Sequence, residues 1–271
     1  MMVVRWAVRG LGLGMTGTLL IPAMGAAAAA PPAFPTVINQ AMAVVAKTTT
    51  APLEASTWTP KVGVNRIAKL GHLTAMTTQS KSAYQVNLYY TCKSVPVNDS
   101  AVLDTANRCT SGEPLNLDGD DQSYAWFGAD RHASIAVAES AVRTNYYFWK
   151  VPKLTTPVTL NSRIPAQFWY RGPQRQEQST IAWHVKGWSI ELLASGFPKS
   201  VAVRSANGLT ASVPRCPSSD GTIVVEVAAD HTLVSAMWRT GRVTETVGSN
   251  FGTNPVVHLM QSLRSWTAPS T

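Results

Sequence analysis

The residues able to do acid–base, nucleophilic or metal chemistry are sparse: three cysteines, five histidines and fifteen acids in 271 residues. The densest acidic run, Asp118-Gly119-Asp120-Asp121, has the composition of a calcium loop. Such a loop needs an acidic ligand five residues before its glycine and a glutamate six after it. Those positions are Pro114 and Ala125, so the run reads as an Asp/Gly-rich turn. The histidines, His72, His132, His184, His231 and His258, are scattered without metal-ligand spacing. No metal site and no cofactor is expected. A two-carboxylate hydrolase would have to draw its pair from Glu139, Glu191, Glu226 and Glu245, by a carboxyl separation that only three dimensions define.

Nucleophilic signatures are missing as well. There is no G-x-S-x-G and no S-x-x-K, the local arrangements that expose or activate a serine. Val102-Leu103-Asp104-Thr105-Ala106 shares its order with the loop by which aspartic proteases present one of two proton-sharing aspartates. Here Ala106 stands in place of the glycine and no second copy exists. Asp99 or Ser100 reads instead as the N-cap of a short helix running through Arg108. No P-loop or G-x-G-x-x-G run follows a strand, so a nucleotide partner is not expected. No catalytic residue is assigned, and the reading leans away from an enzyme.

Binding chemistry is better represented. Tyr146-Tyr147-Phe148-Trp149 and Phe168-Trp169-Tyr170 are consecutive aromatic runs. Neighbours in a strand point to opposite faces, so each run turns at least one ring away from its own core face. Tyr147, Trp149, Trp169 and Tyr170 are therefore the candidates for an outward ligand platform. Cys92 and Cys109 are the candidates for a disulfide. Cys216, between Pro214 and Pro217, is the leftover thiol, buried or capped.

These side chains must be positioned by strands. Tyr84, Val86, Leu88, Tyr90 and Cys92 alternate with polar or outward residues, the period-two pattern of a strand with one buried face. A looser strand is expected over 67–77. Three hairpins are expected: 124–127 returning over 134–141, 180–183 returning over 188–193, and 233–238 returning over 242–247. Each has a Trp shortly before a glycine. Helices are expected over 38–47, over 198–206 with Asn207-Gly208 as its stop, and over 254–265 with Asn254 as N-cap and Pro255 at the first helical position. Glu191 and Glu245 each lie four residues after a turn glycine, and a helix follows each hairpin, which suggests a hairpin–helix repeat. The expected class is α+β, mainly antiparallel β-hairpins with a few short packing helices including a C-terminal one.

The chain's ends and charge set its context. Arg5 and Arg9, the apolar stretch 11–24 and the small-residue run 25–30 follow the order of a secretory signal peptide. The apolar core is shorter than the roughly twenty residues that span a bilayer, though an uncleaved anchor is the alternative. The expected organisation is a signal over 1–29, a Pro/Ala/Thr-rich arm over 30–60, a β-rich half over 61–153 and an α+β half over 154–271. Only 14% of residues are charged while 45% are hydrophobic, which argues against a disordered chain. The net charge of +8 falls to +6 with the loss of Arg5 and Arg9. It is spread along the chain, unlike the basic stripes of a nucleic-acid reader. The expected function is a secreted, non-enzymatic binding or cell-envelope-associated protein. Its expected partners are an anionic cell-wall polymer, a polysaccharide or lipid headgroups. An extracellular hydrolase whose residues meet only in three dimensions, and a membrane-tethered protein, are the alternatives.

Overall fold

The computed structural model describes residues 33–60, 72–104, 123–145, 152–171, 178–228 and 231–268. Ten strands form one sheet: β2 (His72–Gln79), β3 (Ala83–Thr91), β4 (Ala125–Arg131), β5 (Thr156–Leu160), β6 (Ile164–Arg171), β7 (Gln178–Val185), β8 (Trp188–Ser195), β9 (Gly221–Val227), β10 (Thr232–Thr240) and β11 (Val243–Ser249). Their order is β2-β3-β4-β11-β10-β9-β8-β7-β6-β5. Every neighbouring pair is antiparallel except β8 and β9, which run parallel. Helix α3 (Lys199–Ser212) makes that crossover, as a parallel connection requires. Short strands β1 (Glu54–Ser56) and β12 (Leu263–Ser265) pair separately. The α+β class and the large, mostly antiparallel sheet stand as expected.

Alternation divides the sheet into two faces. Val86 and Leu88 of β3, Phe127 of β4, Ile190 and Leu192 of β8, Ile223 of β9 and Val247 of β11 join the main core. Helices α1 (Thr36–Val45), α3 and α4 (Thr253–Ser262) cover this face. The opposite face receives α2 (Ile135–Thr144), which touches β9, β10 and β11. Ala138 and Val142 are its buried residues, one helical turn apart. Arg239 of β10 ties the helix down by pairing with Glu139 at 3.0 Å and Asp220 at 3.3 Å.

Several expectations are corrected. Residues 134–141 do not return as a strand. Ser134 accepts a hydrogen bond from the Val137 amide at 3.2 Å and caps α2, a local contact that favours a helix over the alternation of Ile135 and Val137. β4 runs straight through Gly128. Helix α3 passes Asn207-Gly208 and ends at Ser212, because Leu209 and Thr210 are buried and Thr210 donates to the Ala206 carbonyl. The cap before α4 is Gly252, at φ +99°, rather than Asn254, and the helix stops at Ser262 so that β12 can pair with β1.

The stretch 30–60 is not an arm in its described part, from residue 33 onward. Ile38, Ala41, Met42 and Val45 of α1 are completely buried. Trp266 donates its indole N–H to the Asn39 side chain at 2.9 Å and its amide to the Leu53 carbonyl at 2.7 Å. No domain boundary falls near residue 153 either. Residues 32–271 form one compact unit, since the sheet runs without a break from β2 to β5. A signal over 1–29 lies outside the described residues.

The two hairpins, β7–β8 and β10–β11, form as expected. Lys186 and Gly187 both take positive φ, the geometry of a tight two-residue turn. The glutamates that suggested a repeat are not equivalent, however. Alternation from Ile190 and Leu192 puts Glu191 on the α2 face, while alternation from Val247 puts Glu245 on the core face.

Candidate functional site

The register of β2, β3, β4, β11 and β10 builds a grid of side chains on the α2 face. One row across the strands is Thr78, Gln85, Gly128, Thr246 and Met237. Gly128 has no side chain, so the sheet is depressed there between Gln85 and Thr246. Ala141 of α2 forms a wall, and the resulting open trough holds about 480 Å³. Two residues further along β4, Asp130 lies opposite Ala83 and Thr244. Two residues back, Trp126 lies between Asn87 and Gly248.

Both glycines are there because something occupies the space of a Cβ. At Gly128 a Cβ would press into the Tyr84 carbonyl oxygen and sit 3.1 Å from the Gln85 Cα. At Gly248 it would meet the six-membered ring of Trp126, with Cη2 2.6 Å away. Trp126 thus rests over Gly248, half-buried. Gln85 is exposed and donates its side-chain N–H to the Asn87 amide oxygen at 2.7 Å.

The trough contains a histidine, a hydroxyl and a carboxylate, but not in a catalytic order. His132 Nε2 lies 2.9 Å from Thr244 Oγ1 and 3.9 Å from Asp130 Oδ2. A nucleophilic relay needs the hydroxyl at one ring nitrogen and the carboxylate at the other. Here both address the same nitrogen, so Asp130 competes with Thr244 instead of orienting the base.

The four candidate glutamates do not converge. Glu139 is held in the ion pair with Arg239. Glu191 and Glu226 share the α2 face of β8 and β9, but Glu191 is 1% exposed and closed to a substrate. Glu245 lies on the far side of the sheet. Burial raises its carboxyl above the ordinary range, with the Thr240 hydroxyl opposing and the Glu54 charge adding to the rise. A group bound more tightly to its proton in the folded state contributes stability that is fully present below its unfolded pKa and lost as pH rises through the folded one. Between the ordinary value of 4.5 and neutrality, the fold therefore weakens through this residue. Glu245→Gln is expected to raise the melting temperature at pH 7 and flatten its dependence on pH over that interval. An unchanged pH profile of thermal unfolding in the variant would remove this assignment.

The remaining sequence candidates separate. Trp169 is 6% exposed while Tyr170 is 54% exposed. As neighbours in β6 they face opposite sides, so Trp169 is withdrawn from any shared platform. Tyr170 sits edge-on to Phe168 at 4.8 Å, and the Lys199 Nζ lies 4.9 Å from the Phe168 ring. Tyr147 and Trp149 lie outside the described residues, as do the acidic run 118–121 and Cys109. Cys92 is disulfide-bonded and Cys216 is a free, buried thiol. Desolvation pushes the Cys216 pKa up to about 11, which keeps it protonated and a poor nucleophile. Asp99 caps a single turn over Ser100–Val102 by accepting from the Ala101 amide at 2.9 Å. Asp104 is exposed, and the rest of its loop lies outside the described residues. His258 stacks on Trp58 at 5.1 Å. Among the described residues no three His, Cys, Asp or Glu side chains form a metal-binding group. No helix among them is long and apolar enough to cross a membrane.

Sequence reasoning missed Trp126, the trough and its histidine. The available signal was the pair of isolated glycines, Gly128 and Gly248, inside strand-like runs. No family model, curated protein or solved structure matches the chain.

Proposed function

We propose that this protein is an exported, cell-envelope-associated binding protein without catalytic activity, and that the α2-face trough is its binding surface. The observation that carries the reading is the trough itself: a depression floored by Gly128 and lined by amides and hydroxyls carried on paired strands, with Trp126 one register row away on the same face. Sites on such strands hold their side chains more precisely than sites on loops. Export is supported by the order of charges and apolar residues in the first thirty positions. It agrees with a disulfide at Cys92, for which Cys109 is the proposed partner. The shared nitrogen of His132 weighs against a hydrolase.

The test is retention of the purified protein on isolated cell-wall polysaccharide, on polyglycerol phosphate and on phosphatidylglycerol vesicles. Retention on one of the three, lost when the trough is altered by Thr246→Arg, is expected. Absence of retention on all three removes the binding reading. Mass spectrometry of the chain recovered outside the cell should find an N-terminus within 26–31. Recovery of a chain beginning at Met1 from the cell interior would remove the export reading.

A further inference from the structure

The trough also discriminates among ligand classes. We infer that it takes a neutral, hydroxyl-rich sugar chain, with a pyranose ring packed against Trp126; this rests on the binding reading above. Charge is the first argument. Among the described residues the lining includes no lysine or arginine, and its one carboxylate is Asp130, whose side chain is 45% exposed. Arg239, on the same face beside Thr244, is already paired with Glu139 and Asp220. A phosphate-bearing polymer or an anionic headgroup would therefore meet a carboxylate with no lysine or arginine among the described lining residues to offset it.

Hydrogen-bonding capacity is the second argument. Gln85 is exposed, Thr246 is half-buried, and the Asp130 carboxylate is open. They offer donors and acceptors of the kind that adjacent sugar hydroxyls match. An extended peptide would need an unpaired strand edge to add to. The trough instead centres on Gly128 of β4, a strand paired on both sides, and reaches the edge strand β2 at Thr78 and Gln79, the end of that strand.

Aromatic packing is the third. Trp126 is seated on Gly248 and is half-buried, so part of its ring stays open. By register Trp126 lies one row from Gln85, Gly128 and Thr246 on the same face, so a sugar would lay its apolar C–H face on the ring while its hydroxyls reach the polar row. Trp126 and Asp130 are four residues apart on β4, about 13 Å at the usual strand rise. That distance accommodates a short oligosaccharide rather than one ring.

The experiment is calorimetric and tryptophan-fluorescence titration with cello-, chito- and malto-oligosaccharides, run beside polyglycerol phosphate and phosphatidylglycerol vesicles. One neutral series is expected to bind. Trp126→Ala should weaken it at least about tenfold and Trp126→Phe about threefold or less. Gln85→Ala, at an exposed position that leaves the fold intact, should weaken it about fivefold. Binding of polyglycerol phosphate or vesicles with none of the sugars overturns the sugar assignment and leaves the binding reading standing. Binding of no probe overturns both. Sugar binding that is indifferent to both Trp126→Ala and Gln85→Ala overturns the placement.

Discussion

Ile38→Ala is expected to lower the unfolding free energy by about 3 kcal/mol, within the usual cost of cutting a buried isoleucine to alanine. Ile38 is completely buried, and so are the α1 residues Ala41, Met42 and Val45. The helix rests on β2 and β3. Removing one side chain leaves a cavity under a helix that Asn39 and Trp266 pin in place, so the site cannot collapse around it. A chain beginning at residue 61 is expected to lose cooperative unfolding altogether. It would expose the core face of β2 and β3, and β12 would be left without β1. It would also remove the partners of the Trp266 amide and indole. Urea denaturation of Ile38→Ala and of the 61–271 fragment measures both effects. A change below about 0.5 kcal/mol, or a fragment that unfolds cooperatively, would return 30–60 to the status of an arm.

The misreading of that stretch has a plain origin. Its alanines, prolines and threonines look like a linker, and a helix of ten residues is marginal alone. Its stability comes from a sheet to which the local sequence makes no reference. Strands with one clean face were legible for the opposite reason. β10 carries its period in its own residues, β3 shows it in the alternation from Tyr84, and turn glycines such as Gly187 and Gly241 mark the β7–β8 and β10–β11 hairpins. The α2 helix was not legible because Ile135 and Val137 alternate like a strand. The Ser134 cap and the Ala138–Val142 spacing decide otherwise, and both apolar residues end up about half exposed. The trough was hidden for a third reason. Its residues come from five strands distant in sequence, and their meeting depends on register, which no single segment encodes. The platform expected from the sequence rests on aromatic abundance in the runs 146–149 and 168–170. The half-buried ring beside the trough's row is instead a single tryptophan, Trp126, placed over Gly248 on the next strand.

Gly128 allows the sharpest trial of that register, because the same substitution elsewhere should act with the opposite sign. At Gly128 an added methyl group presses into the Tyr84 carbonyl and lies 3.1 Å from the Gln85 Cα. Both are backbone atoms and cannot rotate aside. To make room, β3 must move away from β4, carrying β2 and the α1 contact with it. Gly128→Ala is expected to cost about 2–3 kcal/mol, at the upper end of overpacking, and to abolish ligand binding in the molecules that still fold. Gly208 is exposed within α3, and nothing lies within 4 Å of the position its Cβ would occupy. There alanine removes the entropic penalty of glycine in a helix and should stabilise by about 1 kcal/mol. Chemical denaturation of the two single variants decides the matter. If Gly128→Ala is as stable as the parent, β3 and β4 are not in the register that makes the trough, and the site built on it falls.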